Sequence, residues 1–297
     1  LLWFLDMVNA SLDSISKGGS MVALINDQNI QDLLFRYGVR MNPVLVQDIQ
    51  CNLIPVNVAL EGNPADFKPA PWLYSPLLNA PYSHPITRNL NMIKTEFTGS
   101  IDTIEARKGI KKTVLLRTSE FSRVVTAPLM IGLDEVRYTP SQDQFREKYL
   151  PVAVLLEGNF ESAFRNRMVS QLFPDTTVQV KESGTSAMLV VADGDIIRND
   201  VRFTPQGVLI SPLGLDRFTQ QTYGNKELIV NAMHYLTGHG NLINLRSREL
   251  TLRLLDKSKI KEDRTQWVLI NTVGPPLLII LAGLLFTWLR KKTYAGN

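Results

Sequence analysis

Three features of the sequence predict an α/β domain carried on one C-terminal membrane helix. Apolar runs of strand length alternate with amphipathic helical segments in two stretches, one from Leu1 to Val39 and one from Pro151 onward. A proline-rich insertion separates the two. Near the end, Gln266–Leu289 carries no charged side chain, and its 24 residues at ~1.5 Å rise match the roughly 30 Å core of a bilayer. The expected layout is a domain over residues 1–240, a connector over 241–265, a span over 266–289 and a short tail over 290–297.

In chain order, Leu1, Leu5, Val8, Leu12 and Ile15 recur at helical spacing and predict a first helix ended by Gly18-Gly19. Met21–Ile25 reads as an interior strand. Asn29 is a candidate N-cap for a helix over Ile30–Tyr37, with Asp32 in its first turn, and Gly38 closes it before a strand at Val39. Pro64, Pro69, Pro71, Pro76, Pro81 and Pro85 then rule out regular helix. Phe67, Trp72, Tyr74 and Tyr82 among them predict a loop packed on the domain.

Met92–Ile104 and Thr113–Thr118 read as strands, with a surface turn at 109–112, and Tyr138–Tyr149 as an exposed connection or short helix. The second α/β stretch offers a strand at Val152–Leu156, a helix at Ser162–Leu172, a strand at Ala187–Ala192 and a helix at Lys226–Leu236. Asn225 would cap that last helix, and Gly238 and Gly240 would end it. In the connector, Leu250, Leu252 and Leu254 alternate as in a strand, while Leu250, Leu254 and Leu255 fit a helix equally. Lys257, Lys259, Lys261 and Arg264 suit either lipid phosphates or a solvated link, and the solvated link is the simpler reading.

The span has an interfacial aromatic at each end, Trp267 and Trp288, and Arg290, Lys291 and Lys292 stop the apolar run at once. Pro275-Pro276 removes two backbone donors and predicts a kink or a split, tolerable where the helix packs on protein. Gly283 is the second glycine of the run. Basic residues flank both sides, so charge alone does not orient the helix. The chain opens Leu1-Leu2-Trp3 inside an apolar pattern, which reads as a fragment whose upstream part is missing.

Composition narrows the chemistry. Net charge is only +4 and the cations are dispersed, so nucleic acid is not an expected partner. Cys51 is the sole cysteine, which excludes an internal disulfide and any cysteine-based metal site. No G-x-x-x-x-G-K-[ST] loop and no G-x-S-x-G elbow occur, so ATP hydrolysis by the P-loop route is not expected of this chain.

Asp193, Asp195 and Asp200, with Asn199, follow a strand as a D-x-D group. They could hold Mg²⁺ or Ca²⁺, but polar side chains at such a turn more often cap backbone groups, and that reading is preferred. His84 stands in the loop before Pro85, and a structural role is expected of it and of the other two histidines. His234 and His239 stand five apart and do not share a helix face. No catalytic residue, cofactor or metal is therefore expected.

Several segments, in this order, carry a resemblance: Leu33–Arg40 (LLFRYGVR), Ser83–Thr87 (SHPIT), Val190–Asp195 (VVADGD), and Asn271, Pro275 and Gly283 ahead of Arg290-Lys291-Lys292. Together they resemble the auxiliary, extracytoplasmic components of bacterial ABC transport systems, in particular the gliding-motility-associated Gld G family of the Bacteroidetes. The resemblance covers nearly the whole chain as the C-terminal part of a longer protein. It implies a domain of glutamine-amidotransferase-like, Rossmann-like fold held at the periplasmic face of the inner membrane, with the tail cytoplasmic. It also implies a separate permease and a separate ATPase as partners. Cys51 lacks the strand–elbow–helix setting of an amidotransferase nucleophile, so enzymatic activity is not carried over. The expected function is docking to permease or cargo. The alternatives are an amidotransferase-like or metal-dependent hydrolase using Asp193, Asp195 and His84, or a structural or adhesion anchor without a transporter.

Overall fold

The computed structural model describes all residues except 58, 60–63, 82, 106–108, 138–140, 165–182, 206, 217, 239–256 and 295–297, and only the backbone of 257–267 and 293–294. The chain divides into two units, Leu1–Arg248 and Glu249–Asn297.

Unit one begins with β1 (Leu2–Phe4), β2 (Val8–Asn9), α1 (Leu12–Gly18), β3 (Ser20–Ile25), α2 (Gln31–Arg36), β4 (Val39–Asn42), β5 (Val44–Asp48) and β6 (Cys51–Asn57). It continues with β7 (Phe67–Leu78), β8 (Ile93–Lys94), β9 (Ser100–Thr103), β10 (Ile110–Arg117), β11 (Ser122–Thr126) and β12 (Leu129–Gly132). The second stretch adds β13 (Pro151–Glu161), β14 (Ser183–Val191), β15 (Val201–Thr204), β16 (Gly207–Ile210) and α3 (Asn225–Leu236). Unit two holds α4 (Lys257–Tyr294).

The main sheet runs β1-β14-β13-β10, with β1 parallel to β14 and the other neighbours antiparallel. Val152–Leu156 of β13 and Met188–Val191 of β14 are buried at every position, as continuous apolar runs require when a sheet is covered on both faces. Leu34 from α2, Tyr37 directly after it, and Leu228 and Ala232 from α3 belong to that core. A second core gathers Val8, Ile15, Leu45, Ile54 and Ile131 around Trp72, Tyr74 and Phe97. The Trp72 and Tyr74 rings lie 5.3 Å apart, and Phe97 meets Trp72 edge-on at 6.2 Å.

The α/β class and the strands at β3, β4, β13 and β14 match expectation, but several elements differ. The described sheets are small and mixed, and no doubly wound parallel sheet stands among them. The helix expected over Leu1–Ile15 is replaced by β1, β2 and the short α1. Leu2-Trp3-Phe4 is a bulky, β-favouring run that finds a parallel partner in β14, and pairing outweighs helical spacing. Strand β3 buries only Ala23 fully, so it is not interior. Asn29 does not cap α2; it sits at φ 55°, its N–H held by Asp27. Met92–Ile104 is two strands, broken where Phe97 turns (φ 52°) and donates to Tyr74 O.

The proline-rich stretch contains a 12-residue strand, β7, instead of a loop. In the β6–β7 ladder, Pro55 faces Pro69 and Leu53 faces Pro71. These prolines therefore fall at pair positions of one parity, so the missing donors are confined to one set of pairs in an antiparallel ladder. Trp72 and Tyr74 do anchor the segment in the core, as the aromatics suggested. The helix expected at Ser162–Leu172, the strand-or-helix pattern of Leu250–Leu255, Tyr82, His239 and Gly240 lie wholly or mostly outside the described residues.

Helix α4 is continuous over 38 residues, through Pro275 and Pro276. The expected split does not occur. Each proline removes one bond to the preceding turn, at the Asn271 and Thr272 carbonyls, and the turns on both sides keep theirs. Of this helix, Val268–Lys292 is long and apolar enough to cross a membrane, with mean hydropathy 2.1 and none of its most apolar stretch buried. The side chains of Arg264 and Trp267 lie outside the described residues.

Candidate functional site

The parallel pairing of β1 and β14 sets Phe4 beside Val191, and the chain leaving each strand carries an aspartate two residues on, Asp6 and Asp193. These carboxyl ends meet at Gly194, whose N–H donates to Asp6 Oδ1 at 2.7 Å. A Cβ on Gly194 would stand 2.5 Å from Asp6 Oδ2, so only glycine admits this approach without displacing the carboxylate. Asp193 is fully buried. Its Oδ1 accepts the N–H groups of Asp195 (2.7 Å) and Ile196 (3.2 Å), and its Oδ2 accepts the N–H of Glu96 (2.9 Å). It thus caps the 3-10 turn Asp195–Ile197 and ties it to the segment between β8 and β9.

One guanidinium serves this acidic group. Arg198 contacts Glu96 Oε2 at 2.5 Å and Asp195 Oδ1 at 2.9 Å. Burial pushes Asp193 well above the usual carboxylate range, and Asp6 and Asp195 add like-charge repulsion. Burial raises Asp6 and Glu96 as well, and lifts Asp195 to about 7 despite Arg198. The cleft beside them, lined by Lys94, Glu96, Asp195, Arg198, Asp200 and Asn225, has a volume near 40 Å³, room for a few waters.

Asp195 and Asp200, which the sequence offered together with Asp193, both line that cleft, and no sequence signal pointed to Asp6, Glu96 or Arg198 beside them. His84 lies elsewhere: its ring packs 4.9 Å from Tyr235 of α3, and its Nδ1 accepts the Ile86 N–H at 3.2 Å. In the neutral ring that bond leaves the proton on Nε2, and burial lowers the pKa of His84. Tyr235 donates in turn to Glu157 at 2.7 Å. Among the described residues, no three His, Cys, Asp or Glu side chains are placed to hold a metal ion. Burial and Asp48 push the Cys51 thiol up to about 12, so it is no thiolate at neutral pH. Asn225 does not cap α3; its Oδ1 accepts the Lys94 N–H, and its Nδ2 donates to the Lys94 and Ile196 carbonyls, pinning α3 to β8 and the turn.

Beside the acidic group runs a larger groove of about 360 Å³. Its lining includes the apolar Leu53, Ile54, Trp72, Val201 and Phe203 and the charged Lys94, Glu96, Arg198 and Asp200. The buried Trp72 indole N–H has no hydrogen-bond partner among the described residues.

In the second unit, the described apolar side chains of α4 are exposed, Ile279 at 73 % and Leu284 at 63 %. Thr287 Oγ1 donates to Gly283 O at 2.9 Å, satisfying its hydroxyl within the helix. Lys292 Nζ lies 5.5 Å from the centre of the Trp288 ring, a cation over an aromatic face.

The family described as an ABC-type uncharacterized transport system, an auxiliary component of such systems, matches residues 1–232. The match covers most of the 297-residue chain, and the chain belongs to that family. No curated protein and no solved structure matches it significantly.

Proposed function

We propose that this member of the ABC-transport auxiliary family is a membrane-anchored subunit of a bacterial transporter, serving gliding motility or the secretion that gliding needs. It acts by docking to a permease or a cargo and not by catalysis. Family membership supports the transporter, and the exposed apolar surface of α4 carries the anchoring, since a helix apolar all round needs lipid or protein around it. The bonding of Asp193 supports the non-catalytic half: its oxygens are engaged by backbone N–H groups.

On this reading a separate ATPase drives transport, because the sequence has no P-loop. Residues 1–240 face the periplasm and the Arg290–Lys292 tail faces the cytoplasm, in line with the positive-inside bias of short tails.

Affinity purification of the chain from detergent-solubilised native membranes is expected to bring down a permease and an ATPase. Protease added to intact spheroplasts beforehand is expected to remove the domain. Purification without either partner would reject the transporter role, and full protection of the domain would reverse the orientation.

A further inference from the structure

Two polar features of α4 fall on one residue. Pro275 lacks the N–H that the Asn271 carbonyl would otherwise receive, so that carbonyl is a vacant acceptor inside the helix. Asn271 also carries an amide side chain in an otherwise apolar stretch, and it is exposed. Among the described residues that amide has no hydrogen-bond partner, whereas the Thr287 hydroxyl, near the other end, bonds back to the Gly283 carbonyl.

The depth of this residue matters. The apolar part of the span runs from Val268 to Leu289, so its midpoint falls beside Leu278. At ~1.5 Å per residue Asn271 stands about 11 Å from that midpoint, inside a hydrocarbon core roughly 30 Å thick. Lipid tails offer neither donor nor acceptor, so an amide and a vacant carbonyl at this depth require a protein neighbour that supplies both.

A second copy of the chain fits that requirement by its own chemistry. Each Asn271 offers two N–H donors on its amide nitrogen and two acceptors, the amide oxygen and the vacant carbonyl. Two copies inserted in the same direction bring these groups to the same depth, and each set then fills the other. Below Asn271, Pro275, Leu278, Ala282 and Leu285 follow at alternating steps of four and three residues, the seam along which like helices interlock. All are exposed, and the small Ala282 allows close approach of the two backbones. A lone polar residue in such a seam fixes the register of the pair.

We propose that α4 pairs in parallel with α4 of a second copy, with Asn271 of each chain hydrogen-bonded to the amide and the vacant carbonyl of the other. The pairing rests on the membrane anchoring proposed above and names what covers the Asn271 face of the anchor.

The test uses the full chain in native membranes and in liposomes. The parent, whose sole thiol is the half-buried Cys51, sets the cross-linking baseline. On oxidation, Leu278→Cys on the seam is expected to give a disulfide-linked dimer, and Ile280→Cys on the opposite side is expected to stay at baseline. Energy transfer between labelled copies in liposomes should show Asn271→Leu, which keeps the helix apolar and inserted, weakening association about tenfold. Asn271→Gln should restore most of it. Pro275→Ala returns a donor to the Asn271 carbonyl and should weaken association several-fold. Equal trapping at positions 278 and 280, indifference to Asn271→Leu, or a carbonate-resistant chain that stays monomeric overturns the pairing and leaves the anchor standing. Trapping of Leu278→Cys solely onto a different membrane protein also overturns it, since that protein would then cover the face. A chain that carbonate extracts removes the anchor, and the pairing with it.

Discussion

Gly194 illustrates how one residue without a side chain holds the carboxylate cluster together. Its bond to Asp6 joins positions 188 apart in sequence, and an added Cβ would meet Asp6 Oδ2 at 2.5 Å. Gly194→Ala is expected to destabilise the full chain by about 1–3 kcal/mol, the usual cost of overpacking. Thermal melts in detergent would show the drop, and Asp6→Ala should recover part of it, because the clash needs both partners. The acid group also predicts a pH trend. Asp6, Glu96, Asp193 and Asp195 all have raised folded-state pKa values, Asp195 to about 7, with Arg198 the cation facing them.

Between the ordinary carboxylate range and pH 7 the folded chain therefore binds more protons than the unfolded one. That stabilisation is complete at acid pH and is lost as each carboxyl deprotonates in the folded chain, the share of Asp195 as the pH rises through about 7. Urea midpoints of the full chain should fall from pH 5 to pH 8, and Asp195→Asn should flatten the slope; a midpoint that rises over this range contradicts the assignment. The D-x-D turn itself was legible in the sequence as a capping group. Asp6 and Glu96 were not, because long-range pairing, unlike a local turn, leaves no spacing to read.

Among the elements, the apolar helix α4 was the most legible, since its length and lack of charge are local properties of the sequence. Its centre should be intolerant of charge. Leu278→Arg together with Leu281→Arg costs about 3 kcal/mol at each site on the insertion scale. The variant should shift from the carbonate-resistant membrane fraction to the extractable one; an unchanged fraction would mean that the helix is not the anchor. Strand β7 was the least legible element. Its prolines argued for a loop, and they are accommodated because Pro55, Pro69 and Pro71 share one parity of the ladder with β6, a register the local sequence does not state. The hairpin β15–β16 escaped notice for a related reason: VRFT and GVLI are too short for a period to emerge, and only their pairing reveals the common apolar face.

At the scale of the molecule, the sequence by itself determined that an α/β domain precedes one apolar helix. It also determined that no G-x-x-x-x-G-K-[ST] loop occurs in these 297 residues. These follow from composition and from local patterns, which act over a few residues. Tertiary structure decided the rest. It made the first apolar repeat a strand, because β14 was available to pair with Leu2–Phe4. It built small mixed sheets, with β1 and β14 the one parallel pair among the described strands. It joined Asp6, Glu96, Asp193 and Arg198 from three distant segments, and it placed His84 against Tyr235 and away from them. Burial of strands and desolvation of charges are set by whichever surfaces come together, and that is a property of the whole chain.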